Sequence, residues 1–522
     1  MIANQISLFP SRTVSQLVED IEKLSQEIKY LYCLDEIPWV IGYSGGKDST
    51  ATLQLIWNAI AELPQDKRQK TIYVITTDTL VENPIVAAWV KKSLEKIKLT
   101  AQKENLPFEP HLLQPEVSLT YWVGLIGKGY PAPRVKFRWC TGRLKIDPSN
   151  RFVRNIVRDN GEVILVLGTR KAESSARAKR MIKLEEKRVR DRLSPNANLL
   201  NSLVYSPIED WRTDEVWLYL MQWENPWGHS NKDLFAMYRG ATADNECPLV
   251  VDTSTPSCGS SRFGCWVCTL VDSDKSLNAM IQNDEEKEWL QPLVDFRLEL
   301  DVMKDYDKRD FRRIWGTVQL FERNIDGKIS VEPIPGPYTK EYREYLLRKL
   351  LEAQTEIRRT APEDMRDITL ISDDELSEIR RIWLEEKHEL DDSLPKIYEE
   401  VTGQPFNDPR VGVAKKLLGS DEWEILQEIC AEDSMYLELM SKLIGTESHY
   451  YVKRRGIFEA LDGCFESSSR DEKDAVGTAY YQRDLKVAAG GGGIDEVKQL
   501  ELNPWSDVKY GQQGVDAVDG DD

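Results

Sequence analysis

Six residues, Ser44-Gly45-Gly46-Lys47-Asp48-Ser49, stand between a short apolar run, PWVIGY (38–43), and the helical segment TATLQLIWNAIAEL. Their types suit an anion. Paired glycines let a backbone turn tightly and approach a ligand closely. Free N–H groups at the start of the following helix, together with its dipole, favour negative charge. The Ser44 and Ser49 hydroxyls add donors and Lys47 adds a cation. The spacing is not that of a Walker A loop, so a different nucleotide geometry is implied. A glycine turn capped by Ser and Asp is the bland alternative, but SGGxDS after a strand is much rarer than such a turn.

A second group of residues able to do chemistry is made of cysteines, eight in all. Cys265 and Cys268 form a CxxC, preceded by Cys258 and Cys247, with Cys140 far upstream in RWCTGRLKIDP. Thiolate is the soft ligand that iron–sulfur clusters and structural zinc require, and a CxxC brings two sulfurs to one metal centre. Spacing alone leaves three readings open. One is a [4Fe–4S] cluster on Cys140, Cys258, Cys265 and Cys268, or with Cys247 replacing one of them. Another is zinc on Cys247, Cys258, Cys265 and Cys268; the third is a reactive dithiol. Cys33, Cys430 and Cys464 fall in helical patterns and read as small core residues. Only four histidines occur (His111, His229, His388, His449), which argues against a His-rich catalytic metal site.

The chain of 522 residues has room for two or three domains. Its opening residues lack the apolar run of a signal peptide, and no stretch approaches the roughly 18 apolar residues of a membrane span. A cytoplasmic protein without membrane contact is expected, its cysteines reduced or metal-bound. The net charge of −19 disfavours independent binding to a nucleic-acid backbone. The charge is uneven, however. Residues 131–145 carry five Lys or Arg and no acid, and residues 170–192 carry ten basic and four acidic residues, a local +6. A phosphate-bearing ligand would be drawn there, unless these are solvated helix faces.

The elements that must hold these residues follow from hydrophobic period. Residues 13–33 read as an amphipathic helix, with Val14, Leu17, Ile21, Leu24 and Ile28 at helical spacing. Strands are expected at 38–43, 71–78, 162–169 and 203–208, and helices after Ser49, over 84–104 and near 213–223. Alternation of this kind implies a parallel α/β sheet, with ligands at the carboxyl ends of its strands, where the loops after Tyr43, Thr77 and Gly168 converge. From about 276 the pattern becomes long charged helices (283–303, 338–360, 373–400, 409–444). FERNIDGKISVEP among them reads as a hairpin turning at Asp326-Gly327. Pro333, where a calcium loop would close with Glu, rules out calcium there. The expected division is an N-terminal helix (1–35), an α/β domain with the cysteine group (36–275), a mainly helical accessory domain (276–485) and a flexible acidic tail (486–522) containing the linker AAGGGG.

SGGKDS after a strand resembles the PP-loop of the ATP pyrophosphatase superfamily, which binds the β–γ pyrophosphate of ATP and cleaves between α and β. The carry-over covers Ser44, Gly45, Gly46, Asp48 and Ser49, with Lys47 at the family's variable position. Three further segments resemble its PAPS reductase-like branch. Asp78-Thr-Leu-Val-Glu82-Asn-Pro84 resembles DTxxExP, placing Asp78 at the ribose or base. Gly168-Thr169-Arg170 with Glu173, Ser174 and Arg177 resembles GxRxxES..R, with Arg170 and Arg177 gripping phosphate oxygens bidentately. Pro207-Ile208-Glu209-Asp210-Trp211, followed by Asp214, Val216 and Trp217, resembles PIxDW…DVW, with Asp210 in a structural role. The fold so implied is a PP-loop (adenine nucleotide α-hydrolase-like) parallel sheet with helices on both faces, plus a C-terminal mainly helical domain.

Over residues 1–275 the chain is similar to the DndC family, the PAPS reductase-like proteins of bacterial DNA phosphorothioate modification. Members carry a [4Fe–4S] cluster on four cysteines, one of them far upstream. That implies Cys140, Cys265 and Cys268, with Cys258 rather than Cys247 as the fourth ligand. The resemblance further implies ATP with Mg²⁺, adenylation of a DNA phosphodiester and replacement of AMP by sulfur. Asp48, Arg170 and Arg177 are its catalytic candidates. Implied partners are a cysteine desulfurase (DndA- or IscS-like) and the subunits DndD, DndE and DndB, which would present the DNA. A PAPS or APS reductase and a tRNA thiolation enzyme are the alternatives. The chain's end, GVDAVDGDD, lacks the short catalytic Cys segment of soluble PAPS reductases, and Trp139-Cys140 stands where cluster-bearing APS reductases use Cys-Cys.

Overall fold

Strand β1 (Trp39–Gly42) lies in the middle of a sheet whose order is β3-β2-β1-β4-β6-β5, with β2 (Ile72–Thr77), β3 (Phe108–Leu113), β4 (Val163–Val166), β5 (Ser194–Pro195) and β6 (Ser202–Tyr205). All pairings are parallel except that of the two-residue β5, which runs antiparallel along β6. The computed structural model describes every residue except 1–11, 136, 191, 197–198, 242–262, 303, 314–315, 326–327, 409–417, 431–432, 451–455, 469 and 489–522. The linker, the acidic tail, Cys247, Cys258 and the Asp326-Gly327 turn therefore lie outside the described residues.

The central strands β1 and β4 are apolar on both faces, as a sheet covered on both sides requires. Trp39 and Ile41 of β1 and Ile164 and Val166 of β4 enter the larger core. It is closed by α1 (Val14–Cys33), α2 (Lys47–Ala61) and α3 (Pro84–Glu104), joined in space by α7 (Thr213–Gln222) and α8 (Asn231–Gly240). Val40, Val163 and Leu165 point the other way. They meet Val153 and Ile156 of α5 (Asp147–Asn160), which follows a short helix α4 (Trp139–Thr141). Period-two alternation thus survives inside a strand that reads as uniformly apolar.

Local signals set the ends. Thr13 and Gln16 form a capping box at α1, and Asn83 caps α3 with Pro84 in the first turn. Strand β3 was not anticipated from the sequence, because FEPHLL lacks a clean period and contains Pro110. It pairs only with β2, and an edge strand tolerates proline.

After β4 come α6 (Ser175–Glu185) and, following α8, α9 (Lys275–Asn283), α10 (Gln291–Leu300), α11 (Lys340–Thr360), α12 (Asp373–Arg381), α13 (Ser393–Thr402), α14 (Ser420–Cys430), α15 (Ser434–Tyr450), α16 (Ile457–Ser468) and α17 (Glu472–Ala488). Strands β7 (Gln319–Ile325) and β8 (Lys328–Ile334) form the expected antiparallel hairpin. The chain divides into two compact units. One comprises Met1–Met303, Arg343–Arg380 and Ser393–Val411; the other comprises Lys304–Tyr342, Arg381–Asp392 and Gly412–Asp522.

Two expectations are corrected. The pattern 373–400 is not one helix. It loosens into a π-helical turn at Ile382–Glu386, passes through positive φ at His388 and Asp392, and restarts at Ser393. Pro395, in the first turn of α13, cannot sit inside a continuous helix. Cys33 is exposed rather than a core residue, because it ends α1 beyond the buried Leu31 and Tyr32. Cys430 and Cys464 are buried as expected.

Candidate nucleotide and cysteine site

The strand order reverses direction at β1 and β4, and in such sheets the crevice beyond the strands' carboxyl ends is the ligand position. A cavity of about 990 Å³ opens there. Ser44 to Asp48, Thr76, Thr77 and Arg170 line one side of it, so the loops after β1, β2 and β4 do meet.

The loop is held from within and from outside. Gly45 takes a φ of 69°, and a Cβ there would fall 2.5 Å from Val90 Cγ2, so only glycine fits. Trp89 Nε1 donates to the Gly45 carbonyl at 3.2 Å. Ser49 Oγ donates to the Gly46 carbonyl at 3.0 Å and lies 3.1 Å from Ser44 Oγ. Gly46 begins α2 without a side-chain cap, leaving the first-turn amides beyond Lys47 for an anion. Gly168 is a contact glycine outside the cavity lining: a Cβ would come within 2.8 Å of the Asp48 carbonyl oxygen.

Charge at the loop is arranged as a row. Asp48 Oδ1 sits 2.8 Å from Arg170 Nε, and its Oδ2 sits 3.5 Å from Lys47 Nζ. Arg170 is only 2% exposed, and its other donors reach the Trp211 carbonyl (3.2 Å) and Thr213 Oγ1 (3.4 Å). Its guanidinium is thus committed to holding Asp48 and the PIEDW loop. Lys47, buried, lies 5.1 Å from the Tyr238 ring centre, and Tyr238 Oη accepts from Lys47 N at 3.4 Å. Burial lowers the Lys47 pKa, and Asp48 pulls it back up.

The remaining candidates fall elsewhere. Arg177 does not line the cavity; it pairs with Glu173, which does. Asp78 accepts from Leu80 N at 2.8 Å and from Gln114 Nε2 at 3.2 Å, shaping the turn after β2. Asp210 bonds Lys171 Nζ at 2.7 Å, a structural contact.

Three of the cysteines lie within electrostatic range of one another. Cys140, on α4, interacts electrostatically with both Cys265 and Cys268. Cys265 bridges Glu82 in an antiparallel contact, Trp266 N donates to the Val81 carbonyl at 3.1 Å, and Thr79 Oγ1 lies 3.4 Å from Cys265 Sγ. Arg297 Nε holds the Cys268 carbonyl at 2.9 Å. Burial pushes the Cys140 and Cys265 thiols above their ordinary pKa, the opposite of a reactive low-pKa dithiol. Among the described residues no three His, Cys, Asp or Glu side chains converge as a single ion needs. A cubane cluster spreads its thiolates farther apart than one ion does, and this donor set, thiols alone, fits such a cluster chemically.

Lys145, from the basic run 131–145 expected to draw a phosphate, lines the cavity, together with Glu82, Asn150 and Tyr238, to which the sequence assigned no role. Glu82 and Lys145 stood inside quoted motifs and face each other at 3.9 Å. Tyr238 had no signal, since it reaches the loop from α8.

Behind the loop, Trp89 stacks on His229 at 3.6 Å between ring centres. Burial first, then Lys96 and Lys92, draw the His229 pKa down to about 4. A folded value below the unfolded one means that the unfolded chain takes the proton first. Stability is therefore lost as pH falls from about 6.5 towards about 4, by about 3 kcal/mol in total. Urea unfolding across that range is expected to show this loss in the wild type and not in His229→Gln; parallel curves would refute it.

Among the described residues no helix is long and apolar enough to cross a membrane. Residues 38–270 match the model of the phosphoadenosine phosphosulfate (PAPS) reductase domain, and the chain carries a domain of this PAPS reductase-like, PP-loop type. A curated relative is the uncharacterized protein MJ0066 of Methanocaldococcus jannaschii, 26% identical over 200 residues, which are 38% of this chain and 35% of that protein. The chain thus spans about a third of that relative's length. Among solved structures, the U34-tRNA thiolase NcsA of Methanococcus maripaludis with its [4Fe–4S] cluster superposes with a TM-score of 0.27 at 12% identity, over 56% of this chain and 83% of that one. The FMN adenylyltransferase of Candida glabrata with FAD and inorganic pyrophosphate gives 0.26 at 12% identity, over 47% and 73%. Superpositions at such scores carry no inference about function.

Proposed function

We propose that this protein is an ATP-dependent sulfurtransferase that adenylates a DNA backbone phosphate with release of pyrophosphate and then replaces AMP by sulfur, in DNA phosphorothioation of the DndC kind. The observation that supports it is one cavity lined both by the loop 44–48 and by Glu82, Lys145 and Gly264 beside Cys265. A phosphate activated at the loop then lies in the same cavity as Gly264, the neighbour of Cys265. The choice of DNA rests on the sequence resemblance.

In this reading ATP, with Mg²⁺ on its phosphates, binds through the α2 amides, the Ser44 hydroxyl and Lys47. Asp48 and Arg170 keep the loop preorganised, and Lys145, half exposed in the same cavity lining, attracts the incoming phosphodiester. A nonbridging oxygen of that phosphodiester attacks the α-phosphorus and pyrophosphate leaves. The terminal sulfur of a persulfide, supplied by a cysteine desulfurase, then attacks the adenylated phosphorus and expels AMP. Breaking the remaining S–S bond takes two electrons from a thiol reductant. Cys140, Cys265 and Cys268, with Cys258 as the fourth ligand, would hold a [4Fe–4S] cluster, which would supply a redox or sulfur-handling centre. DndD, DndE and DndB-like partners bring the duplex to a chain whose net charge is −19.

The test is anaerobic reconstitution with ATP, duplex DNA, desulfurase and partners. AMP and pyrophosphate should appear in step with phosphorothioate in the digested DNA. Sulfite release from PAPS with thioredoxin, independent of DNA, would make the protein a reductase and overturn the reading.

A further inference from the structure

The basic run 170–192 is divided by the fold into two populations. Arg170 is committed to Asp48, and Lys171 to Asp210 and Glu185. Arg177 pairs with Glu173, Arg188 and Arg192 each reach Glu209 Oε1 at 2.8 Å, and Arg190 meets Asp35 at 2.6 Å. Those cations stabilise the fold.

Lys179, Arg180, Lys183 and Lys187 differ. They are exposed, and none has an ion pair among the described residues. Glu186 is an exposed acid in the same run. Lys179 and Lys183 stand one turn apart on α6 with Arg180 beside them, and Lys187 continues the line just past the helix end. Like charges three and four residues apart destabilise a helix. In a chain with 88 acidic and 69 basic residues, carboxylates are plentiful, yet this stripe takes none among the described residues. The stripe also has an address: Ala172 and Glu173 line the cavity, and Ser174, the next residue, caps α6. From Lys179 to Lys187 it runs about 12 Å along the helix direction, enough to face roughly three or four successive phosphates of one strand.

We infer that the exposed face of α6 is the docking track for the phosphate backbone of duplex DNA at the cavity mouth. The inference rests on the proposed function for its occupant and adds the surface that receives it. The track engages a strand locally, while the acidity of the whole chain keeps its affinity low at physiological salt.

The test compares the full-length wild type with K179E/R180E/K183E, using fluorescence anisotropy of a short labelled DNA duplex from about 50 to 200 mM salt. The wild type should bind at the low end. The variant should bind at least tenfold more weakly, with a log–log salt slope shallower by about three. A neutral K179Q/R180Q/K183Q variant should fall between them. Retention of labelled ATP, unchanged in both variants, shows that the fold is intact; its failure in the wild type would sink the proposed function independently of α6. Equal slopes and affinities in all three proteins, or no duplex binding by the wild type at low salt, would overturn the track. So would binding to phosphatidylserine vesicles in place of DNA.

Discussion

Asp48→Asn is expected to reduce pyrophosphate release by roughly 10²–10³-fold, the range for losing one preorganised electrostatic element of an active site. Asp48 touches both cations of the loop wall, Arg170 at 2.8 Å and Lys47 at 3.5 Å. Arg170 is almost wholly buried, and its other contacts are a carbonyl and a hydroxyl. Asparagine leaves that guanidinium without a counter-charge. Breaking a buried ion pair from one side costs about 3–5 kcal/mol, and the lower end applies because the Asp48 side chain is 24% exposed. The variant should therefore also unfold at clearly lower urea. A double variant, Asp48→Asn with Arg170→Met, separates the two effects. Removing both charges should recover much of the stability but none of the activity. Activity restored along with stability would show that the pair merely holds the fold.

The second large effect is at the cysteines. Cys265→Ser is expected to remove most of the iron from anaerobically purified protein, together with its visible absorbance. A serine oxygen is a hard ligand where a soft thiolate is required. Cys140→Ser should do the same, because Cys140 interacts with Cys265 and Cys268 although it lies far upstream in the chain. Cys33→Ser is the control, its thiol being exposed at the end of α1. In the sulfurtransferase reading, Cys265→Ser keeps ATP-dependent pyrophosphate release and loses sulfur insertion, since the loop 44–48 lines the cavity while Cys265 stands outside its lining, next to Gly264. Iron content unchanged in both Cys265→Ser and Cys140→Ser would remove these cysteines from any cluster.

The chemistry of the loop and of the cysteine pair was visible in the sequence, because each motif is local. SGGKDS carries its glycines, hydroxyls and helix start within six residues, and CWVC carries two sulfurs within four. Strands β1, β2, β4 and β6 and helix α3 were legible for the same reason: apolar period, caps and proline placement act over a few neighbouring residues. Strand β3 was not, since an edge strand needs only a partner and FEPHLL has no period of its own.

Only the tertiary structure decided which charges are free. The ten cations of 170–192 look alike in sequence, yet Arg188, Arg190 and Arg192 find carboxylates at Glu209 and Asp35, and Lys179, Lys183 and Lys187 find none among the described residues. It also decided that Arg170 holds Asp48, that Tyr238 lies under Lys47, and that Cys140 approaches Cys265. Hydrophobic period tells a side chain which face to occupy but not which distant residue will stand opposite. Ion pairs, ring contacts and thiol groupings exist only once the sheet order brings remote segments together.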